Sequence, residues 1–354
     1  MSEVFDAIVL GAGPAGQKAA IQGAKSKKRV LLVDEASGVG GECVRRGTIP
    51  SKTLRETAAA TKAFRERTAG VFDLDQREDL TLASLMSRMC AVVSAHDRFM
   101  GAQLARNDVT LWKGRARFAD ARTIEVQMPD GAVRSATAPI VVVAVGSRPR
   151  APDGIPIDHE HVLDSDSFLS MTYLPRSLVV LGAGVIASEY ASIFAALGTQ
   201  VTMVDKGERP LGFLDPELSA AFKASLEAAG GRFVGKAQPT DVAWNGVDAT
   251  ITRLSTGEEL ASETVLVALG RVANLRGLRP EAAGLELDAR GLLPVDEHCR
   301  TKVPGVYAVG DVIGPPALAS SAMEQGRRAM RHALGLPAPE GHDLVPMAIY
   351  AIPE

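Results

Sequence analysis

The chain has 354 residues, and its 39 basic and 42 acidic side chains leave a formal net charge of −3 at pH 7. This length suits two or more domains, and the lack of a basic excess argues against a nucleic-acid partner. The three cysteines, Cys43, Cys90 and Cys299, show no Cys-x-x-Cys pair and no zinc spacing, which favours a reducing, cytoplasmic compartment.

The N-terminal region has the order strand, glycine turn, helix, strand and acid. An apolar run over 4–10 leads into a turn with Gly11, Gly13 and Gly16, and an alanine-rich stretch and a second apolar run end at Asp34. Gly11 makes the turn, Gly13 lets the backbone approach a pyrophosphate, and Gly16 lets the helix pack on the strand. Asp34, 18 residues after Gly16, is placed to accept a hydrogen bond from a ribose hydroxyl. The pattern predicts a dinucleotide site, whose phosphates would bind at the helix N-terminus.

A second glycine-containing stretch follows, with Gly40, Gly41, Cys43, Thr48 and Lys52. The two glycines allow a tight turn and a close approach to a ligand. The sequence Gly-Thr-Ile-Pro reads as a turn, and the polar, alanine-rich stretch from Lys52 onward predicts a helix that ends near residue 68. Taken alone, this could be an ordinary loop that enters a helix.

The middle of the chain predicts one long helix and several short strands. The helix covers Leu82 to Arg106, and the strands cover 109–112, 116–118, 123–128 and 140–145. Gly146 closes the last of these strands. The proline-rich stretch 149–176 is predicted to be a connector.

The first pattern then repeats. A strand-like run over 177–181 leads into Gly182, Gly184 and Ala187, and a further helix and strand end at Asp205, again 18 residues after Ala187. Two such patterns, about 170 positions apart, predict two dinucleotide sites. One of them could be a decayed structural copy, but the intact glycines argue against that.

The remaining elements are a mixture of strands and helices. Asp215 and Pro216 are typical of the N-cap and the first position of a helix, which is predicted to run to about residue 229. Strands are predicted at 232–235, 240–244, 248–254, 264–269 and 305–309, and a basic-tipped helix at 321–334.

No signal peptide, membrane span or metal site is predicted. The first residues lack a basic and an apolar region, and the longest clean apolar run, Ile140 to Val145, is far too short to cross a bilayer. His159-Glu160-His161 lacks a third metal ligand at a suitable spacing.

Several motifs in this order resemble the flavoprotein disulfide reductase superfamily, which includes lipoamide dehydrogenase, glutathione reductase and mercuric reductase. They are Gly11–Gly16, Gly41–Lys52, Ala144–Gly146, Gly182–Glu189, Gly270-Arg271 and Gly310-Asp311. The resemblance covers essentially the whole chain and implies an α/β fold with two Rossmann-like domains built on parallel sheets. The NAD(P) domain, 151–270, would be inserted in an FAD domain made of 1–150 and 271–345. Residues 346–354 would begin an interface domain, absent from this chain, through which the superfamily forms homodimers.

The resemblance also implies site residues. FAD contacts are implied for Gly11, Gly13, Gly16, Asp34, Glu35, Gly40, Gly41, Cys43, Lys52, Gly114, Ala116, Gly146, Gly310, Asp311 and Ala319. NAD or NADP contacts are implied for Gly182, Gly184, Asp205 and Lys206, and cofactor contacts also for Glu189, Gly270 and Arg271. Asp311 would bind the ribityl chain. Lys52 would lie near the flavin and stabilise the negative charge that accumulates on reduction, and Glu189 would pair with it, because a buried lysine without a partner is costly. The alternative for Glu189 is an acid on a helix surface.

One position departs from the superfamily pattern. Its disulfide reductases carry Cys-x-x-x-x-Cys, whereas here Cys43 is followed by Thr48, so that local disulfide cannot form. In this respect the chain resembles the transhydrogenase branch, which implies hydride transfer from NADPH to NAD⁺ through FAD and one nicotinamide pocket. Cys43 would be a leftover or a flavin contact. Alternatives are a lipoamide-dehydrogenase-like reductase, an NAD(P)H oxidase or diaphorase, and a non-enzymatic flavin-binding redox sensor.

The residues that would select between NAD(H) and NADP(H) include both an acid and two cations. Asp205 should accept from a 2′-hydroxyl and repel a 2′-phosphate, which favours NAD(H). Lys206 and Arg209 follow at once and could bind a 2′-phosphate, or they could be solvated charges after a strand. A site that takes both nucleotides in turn needs such a compromise.

Overall fold

The computed structural model of the chain describes residues 2–68, 82–337 and 345–353. The chain divides into two compact units. The first unit consists of Met1–Arg45, Val93–Arg148 and Val272–Met347, and the second consists of Arg46–Val92, Pro149–Arg271 and Ala348–Glu354. The predicted FAD and NAD(P) segments are defined by ligand binding, whereas these units are defined by packing. Residues 46–68 and 82–92, which fall in the predicted FAD segment, pack with the second unit.

The elements are numbered here in chain order. The helices are α1 (Pro14–Lys25), α2 (Gly41–Arg45), α3 (Thr48–Thr68), α4 (Leu82–Arg106), α5 (Val185–Ala196), α6 (Pro216–Ala228) and α7 (Ala319–Ala333). Strands of the first half are β1 (Glu3–Val4), β2 (Ala7–Leu10), β3 (Val30–Asp34), β4 (Thr110–Lys113), β5 (Arg115–Phe118), β6 (Thr123–Gln127), β7 (Val133–Thr137), β8 (Ile140–Val143) and β9 (Ser147–Pro149). Those of the second half are β10 (Val162–Asp164), β11 (Ser177–Leu181), β12 (Gln200–Val204), β13 (Arg232–Val234), β14 (Pro239–Trp244), β15 (Thr250–Leu254), β16 (Glu259–Ser262), β17 (Thr264–Val267), β18 (Arg271–Ala273) and β19 (Val306–Ala308).

A parallel sheet of order β19-β8-β2-β3-β4 forms the centre of the first unit. Leu10 lies opposite Val33 on one side and Val143 on the other. Alternate strand residues enter different cores: Ile8 packs with Phe118 on one face, whereas Val9 packs with α1 residues on the other. Both faces are covered, which explains why these strands are almost wholly apolar. A second sheet of order β1-β7-β6-β5 packs its apolar side into the first of these cores.

The second unit repeats this plan. Its parallel sheet has the order β10-β17-β11-β12-β13, and a separate antiparallel sheet has the order β14-β15-β16. Val180 lies in one core and Val179 in the other, so this sheet is also covered on both faces. Helix α3 packs against α5, and Leu54 of α3 is 1% exposed in the core that α5 also lines. The predicted α/β class with parallel sheets is confirmed in both units.

Several predicted elements differ in detail. The run over 4–10 forms two strands, because Asp6 leaves the strand path and accepts a hydrogen bond from the Arg29 N–H at 2.7 Å. The predicted Gly-Thr-Ile-Pro turn is instead the first turn of α3, which begins at Thr48; proline is tolerated there because its missing N–H has no helical partner in the first turn. The connector 149–176 contains β10, which pairs with β17.

Some sites and segments are absent from the part of the chain that the structure describes. Over 2–68, 82–337 and 345–353, no helix is both long and apolar enough to cross a bilayer. Over the same residues, no three His, Cys, Asp or Glu side chains are grouped as metal ligands. His161, from the His159-Glu160-His161 stretch, stacks on Trp244, with ring centroids 3.7 Å apart.

Candidate functional site

The two predicted glycine turns have the same backbone geometry in their respective units. Gly11 N–H donates to the Val33 carbonyl at 2.7 Å, and Gly182 N–H to the Val204 carbonyl at 2.8 Å. Their φ angles are +103° and +111°. A Cβ would lie 2.3 Å from the carbonyl oxygen of Ala144 at the first turn and 2.5 Å from that of Ala268 at the second. Each unit therefore requires glycine at this position for its own folding.

Gly13 and Gly184 differ from those glycines, because packing does not require them. They are the N-cap residues of α1 and α5, and their φ angles of −71° and −78° suit any residue. A Cβ on Gly184 would have no atom within 4 Å, and one on Gly13 only the Cα of Gly41 at 3.8 Å. Neither helix has a side-chain cap. Each turn thus leaves open space in front of a helix N-terminus, which fits a pyrophosphate.

The two terminal acids fix these turns. Asp34 Oδ2 accepts from Ala12 N–H at 2.5 Å and Oδ1 from Ala36 N–H at 2.8 Å. Asp205 does the same with Ala183 at 3.0 Å and Gly207 at 2.6 Å. Burial raises the pKa of the Asp34 carboxyl, and its two backbone donors act in the opposite direction. The structure thus gives both acids a role in holding the turn, and their contact with a ribose stays a prediction.

The first unit brings its second pair of glycines against the first turn. Gly40 N–H donates to the Ala12 carbonyl at 2.9 Å. Gly41 approaches so closely that its Cβ would lie 2.7 Å from the Cα of Gly13. Two glycine-containing stretches that are separate in sequence thus line one cradle, and added side chains would fill it. This cradle suits the phosphates of FAD.

Another group of predicted FAD residues lies at the end of β19. The Ser147 hydroxyl donates to Asp311 Oδ2 at 2.7 Å, and Gly310 N–H donates to Gln325 Oε1 at 2.8 Å. Ala319 is the first residue of α7, the helix that carries Gln325. Sequence reasoning missed Ser147 and Gln325, although Ser147 directly follows the predicted Gly146. The Ser147 hydroxyl thus fixes one carboxylate oxygen of Asp311, and the contact of Asp311 with a ribityl chain stays a prediction.

Three predicted FAD residues have a different environment. Glu35 is exposed and forms an ion pair with Arg115 at 3.3 Å. At Gly114, a Cβ would meet the Gln127 carbonyl oxygen at 2.5 Å, so strand packing alone accounts for this glycine. Ala116 packs against the core of the first unit. For these three residues the structure adds no feature that points to a ligand.

Lys52 and Glu189 form an ion pair in the second unit. The distance from Nζ to Oε2 is 2.6 Å, and the two side chains are 27% and 7% exposed. The other carboxylate oxygen, Oε1, accepts from Tyr350 N–H at 2.9 Å. The alternative of a surface acid at Glu189 is wrong, because this carboxylate is buried and has a partner on each oxygen. Sequence reasoning missed Tyr350, which lies about 160 positions from Glu189.

The basic residues predicted near the second dinucleotide site behave differently from one another. Arg271 donates to Ser165 and Asp166, each at 3.2 Å. Arg209 donates to the carbonyls of Gly212 and Leu214 at 3.1 and 3.0 Å. Arg209 thus holds its own loop.

Lys206, which follows Asp205, is exposed. It forms no ion pair within the described ranges. Glu208, the nearest acid after it, is paired with Lys236 at 2.9 Å. Of the two cations predicted to bind a 2′-phosphate, Lys206 is therefore the better placed.

A disulfide between positions 43 and 48 is chemically impossible, because position 48 holds threonine. Cys43 lies in α2 and Thr48 is the first residue of α3. All three cysteines of the chain lie in the described ranges, and none of them is part of a disulfide. Cys299 is buried, and burial raises the pKa of its thiol to about 11, so it is a poor nucleophile.

Comparison with known proteins places these features in a family. The family model described as pyridine nucleotide-disulphide oxidoreductase matches residues 5–326. The chain belongs to this family. The match includes both glycine turns, Lys52 and Glu189.

Named relatives and solved structures of the family agree with this. A soluble pyridine nucleotide transhydrogenase of Mycobacterium bovis is 44% identical over 355 residues, which cover 99% of this chain and 75% of that protein. A protein of the same name from Colwellia psychrerythraea is 38% identical, with the same coverage. The crystal structure of LpdA from Mycobacterium tuberculosis has a TM-score of 0.87 at 29% identity and covers 96% of this chain and 74% of its own.

Proposed function

We propose that this chain is an FAD-dependent transhydrogenase that transfers hydride between NADPH and NAD⁺. The observation that carries the proposal is the combination of two dinucleotide turns with Thr48 in place of a second cysteine. Without a dithiol, the chain has no local relay to a disulfide substrate. The relatives that share 38–44% identity bear the name of this activity.

The first unit would hold FAD, with its phosphates at Gly11, Gly13, Gly40 and Gly41 and its ribityl chain at Asp311. We assign FAD binding to 1–150 and 271–345, and NAD(P) binding to 151–270. When bound, FAD supplies a flavin nitrogen, N5, that can take hydride from one nicotinamide and give it to another. Homodimer formation is proposed from the resemblance alone, and a cytoplasmic location from the cysteine pattern.

The residues of the second unit would bind both nucleotides in turn. The open space at Gly184 suits the pyrophosphate that NADPH and NAD⁺ share. Asp205 already accepts two backbone N–H groups, and each carboxylate oxygen retains a lone pair for a ribose hydroxyl. Lys206 would neutralise the 2′-phosphate of NADPH. Because these groups adjoin one another, neither nucleotide is strongly excluded.

Lys52 would supply positive charge where the flavin gains negative charge. Its ammonium needs a fixed position to do this, and the ion pair with Glu189 provides it. The carboxylate also compensates for removing the ammonium from water. No thiol chemistry is required of Cys43.

The test of this proposal is a direct transfer assay. The purified chain, with FAD confirmed by its visible spectrum, is mixed with NADPH and thio-NAD⁺, and thio-NADH formation is followed. We expect transfer to thio-NAD⁺ and no turnover of lipoamide with NADH. Lipoamide turnover would favour the reductase alternative and would require a thiol relay elsewhere.

A cysteine variant is the matched control for this assay. Cys43→Ser should retain FAD and hydride transfer to within about twofold, since no covalent step uses the thiol; Cys90→Ser, at an exposed cysteine, should behave the same. Loss of transfer in Cys43→Ser with FAD retained would mean that the thiol takes part. Oxygen consumption with NADPH alone, without transfer to thio-NAD⁺, would instead indicate an oxidase.

Nucleotide preference should depend on Lys206. We expect Lys206→Ala to raise the KM for NADPH about tenfold, the equivalent of one hydrogen bond to a charged group, and to change the KM for NADH little. Steady-state kinetics with both nucleotides measure this. Arg209→Ala is the contrasting variant: because Arg209 holds the loop, it should weaken both nucleotides alike and lower the Tm. Equal effects of Lys206→Ala on the two nucleotides would contradict the assignment.

A further inference from the structure

The segment 348–353 is held firmly within the second unit. Ile352 N–H donates to the hydroxyl of Ser192 on α5 at 3.1 Å. The Ile352 side chain is 7% exposed and belongs to the core that α3 and α5 line. From α3, Arg55 donates to the Ala351 carbonyl at 3.2 Å. These contacts fix the residue that precedes them, Tyr350, relative to both helices.

Tyr350 contacts both members of the Lys52–Glu189 pair. Its backbone N–H donates to Glu189 Oε1 at 2.9 Å. The Lys52 ammonium lies over its ring, 4.9 Å from the centroid, which is within the range of a cation–π interaction. The same ammonium donates to Glu189 Oε2 at 2.6 Å. Lys52 is thus held by a carboxylate and by an aromatic face, and the same residue that supplies the face also fixes the carboxylate.

We propose that Tyr350 is a positioning residue that fixes the Lys52 ammonium through its ring face and the Glu189 carboxylate through its backbone N–H. A lysine side chain has several rotatable bonds and loses considerable entropy when it is held in one geometry. One hydrogen bond leaves the ammonium free to move around the carboxylate, whereas the ring restricts it to one side. The effect on hydride transfer rests on the proposed function, but the contact with Lys52 does not.

The contact is tested by the chemical reactivity of Lys52. The whole chain is labelled with a low dose of acetic anhydride, and peptide mass spectrometry compares acetylation of Lys52 with that of Lys223 on α6, whose side chain is 44% exposed. Removing the ring uncovers the ammonium, so we expect Lys52 to be acetylated about fivefold faster in Tyr350→Leu. Tyr350→Phe keeps the ring and should match the unaltered chain. Tyr173→Leu removes another exposed tyrosine of the second unit and should also have no effect.

The positioning role is tested by a double-variant cycle. With FAD bound, we expect Tyr350→Leu to slow flavin reduction by NADPH about fivefold in anaerobic stopped-flow, and Tyr350→Phe to restore the rate. In a Lys52→Met background, Tyr350→Leu should cause no further loss, because its effect acts through Lys52. An equal loss in both backgrounds would overturn the positioning role, and unchanged Lys52 acetylation in Tyr350→Leu would overturn the contact.

A replacement variant and the independence of the two assays keep the test decisive. If Tyr350→Leu does not fold, Tyr350→Trp replaces it: the larger ring binds a cation more strongly, so Lys52 should be acetylated more slowly than in the unaltered chain, and a faster reaction would count against the contact. Increased acetylation in Tyr350→Leu still supports the contact when thio-NAD⁺ is not reduced, so failure of the proposed function and failure of this inference give different results.

Discussion

Gly184→Ala is expected to weaken nucleotide binding by the second unit about 10- to 100-fold, the equivalent of one or two charge-assisted hydrogen bonds to phosphate. The added methyl group would occupy the open space at the N-terminus of α5, where no protein atom lies within 4 Å. Because Gly184 has φ −78°, alanine fits the backbone without strain. Calorimetric titration with NADPH and a thermal melt of the same sample measure both effects, and we expect the Tm to stay within about 2 °C.

The matched variant is Gly182→Ala, two residues earlier. At φ +111°, with a Cβ 2.5 Å from the Ala268 carbonyl oxygen, alanine costs at least about 1–3 kcal/mol in backbone strain. For a chain of this size, such a loss of unfolding free energy should lower the Tm by about 5 °C or more. Gly101→Ala, in α4 with no atom within 4 Å of the new Cβ, should be neutral or slightly stabilising. If Gly184→Ala bound NADPH normally, the pyrophosphate would not lie at this turn.

Lys52→Met is expected to reduce the rate of flavin reduction by NADPH about 100-fold, the usual scale for losing one electrostatic stabiliser of a developing charge. The variant also leaves the buried Glu189 carboxylate without its cation. Its remaining donor is Tyr350 N–H, so we expect a loss of about 1–3 kcal/mol in unfolding free energy, reduced by the partial exposure of Lys52. Stopped-flow absorbance of the flavin and denaturant unfolding measure the two quantities.

A double variant separates the two effects. Lys52→Met with Glu189→Gln removes the unpaired charge, so stability should return while flavin reduction stays slow. Lys62→Met is the control for loss of a lysine from the same helix, since Lys62 forms only a surface pair with Glu66 at 3.7 Å and such pairs contribute little. Recovery of the rate in the double variant would show that Lys52 acts through stability alone.

The parts of the fold that sequence predicted well are those with local causes. Gly11 and Gly182 mark turns because of their own φ angles, and the strands on either side are apolar because both sheet faces are covered. The limits of Leu82–Arg106 follow from helical periodicity, and the structure has the same limits. Strand β10 was missed since its three residues gain their conformation from pairing with β17, a neighbour about 100 positions away.

The candidate site was only partly predictable for the same reason. Lys52 and Glu189 came from the resemblance, and no local pattern would have paired residues 137 positions apart. Ser147 and Tyr350 have no motif of their own, and their importance appears only when the fold places them beside Asp311 and Glu189. Asp34 and Asp205 were predicted as ribose ligands, but their bonds to Ala12 and Ala183 need a closed turn before they can be recognised.

The loop after β12 contains both residues that hold the backbone and a residue that can be exchanged without disturbing it. Arg209 maintains the shape of that loop through the carbonyls of Gly212 and Leu214, and Asp205 maintains the glycine turn. An engineer who exchanged either residue to alter coenzyme choice would distort the scaffold along with the recognition. Among the described contacts, none shows the exposed Lys206 side chain holding the loop or the turn. A library focused on this one exposed position offers the shortest route to a catalyst that uses a single, inexpensive coenzyme.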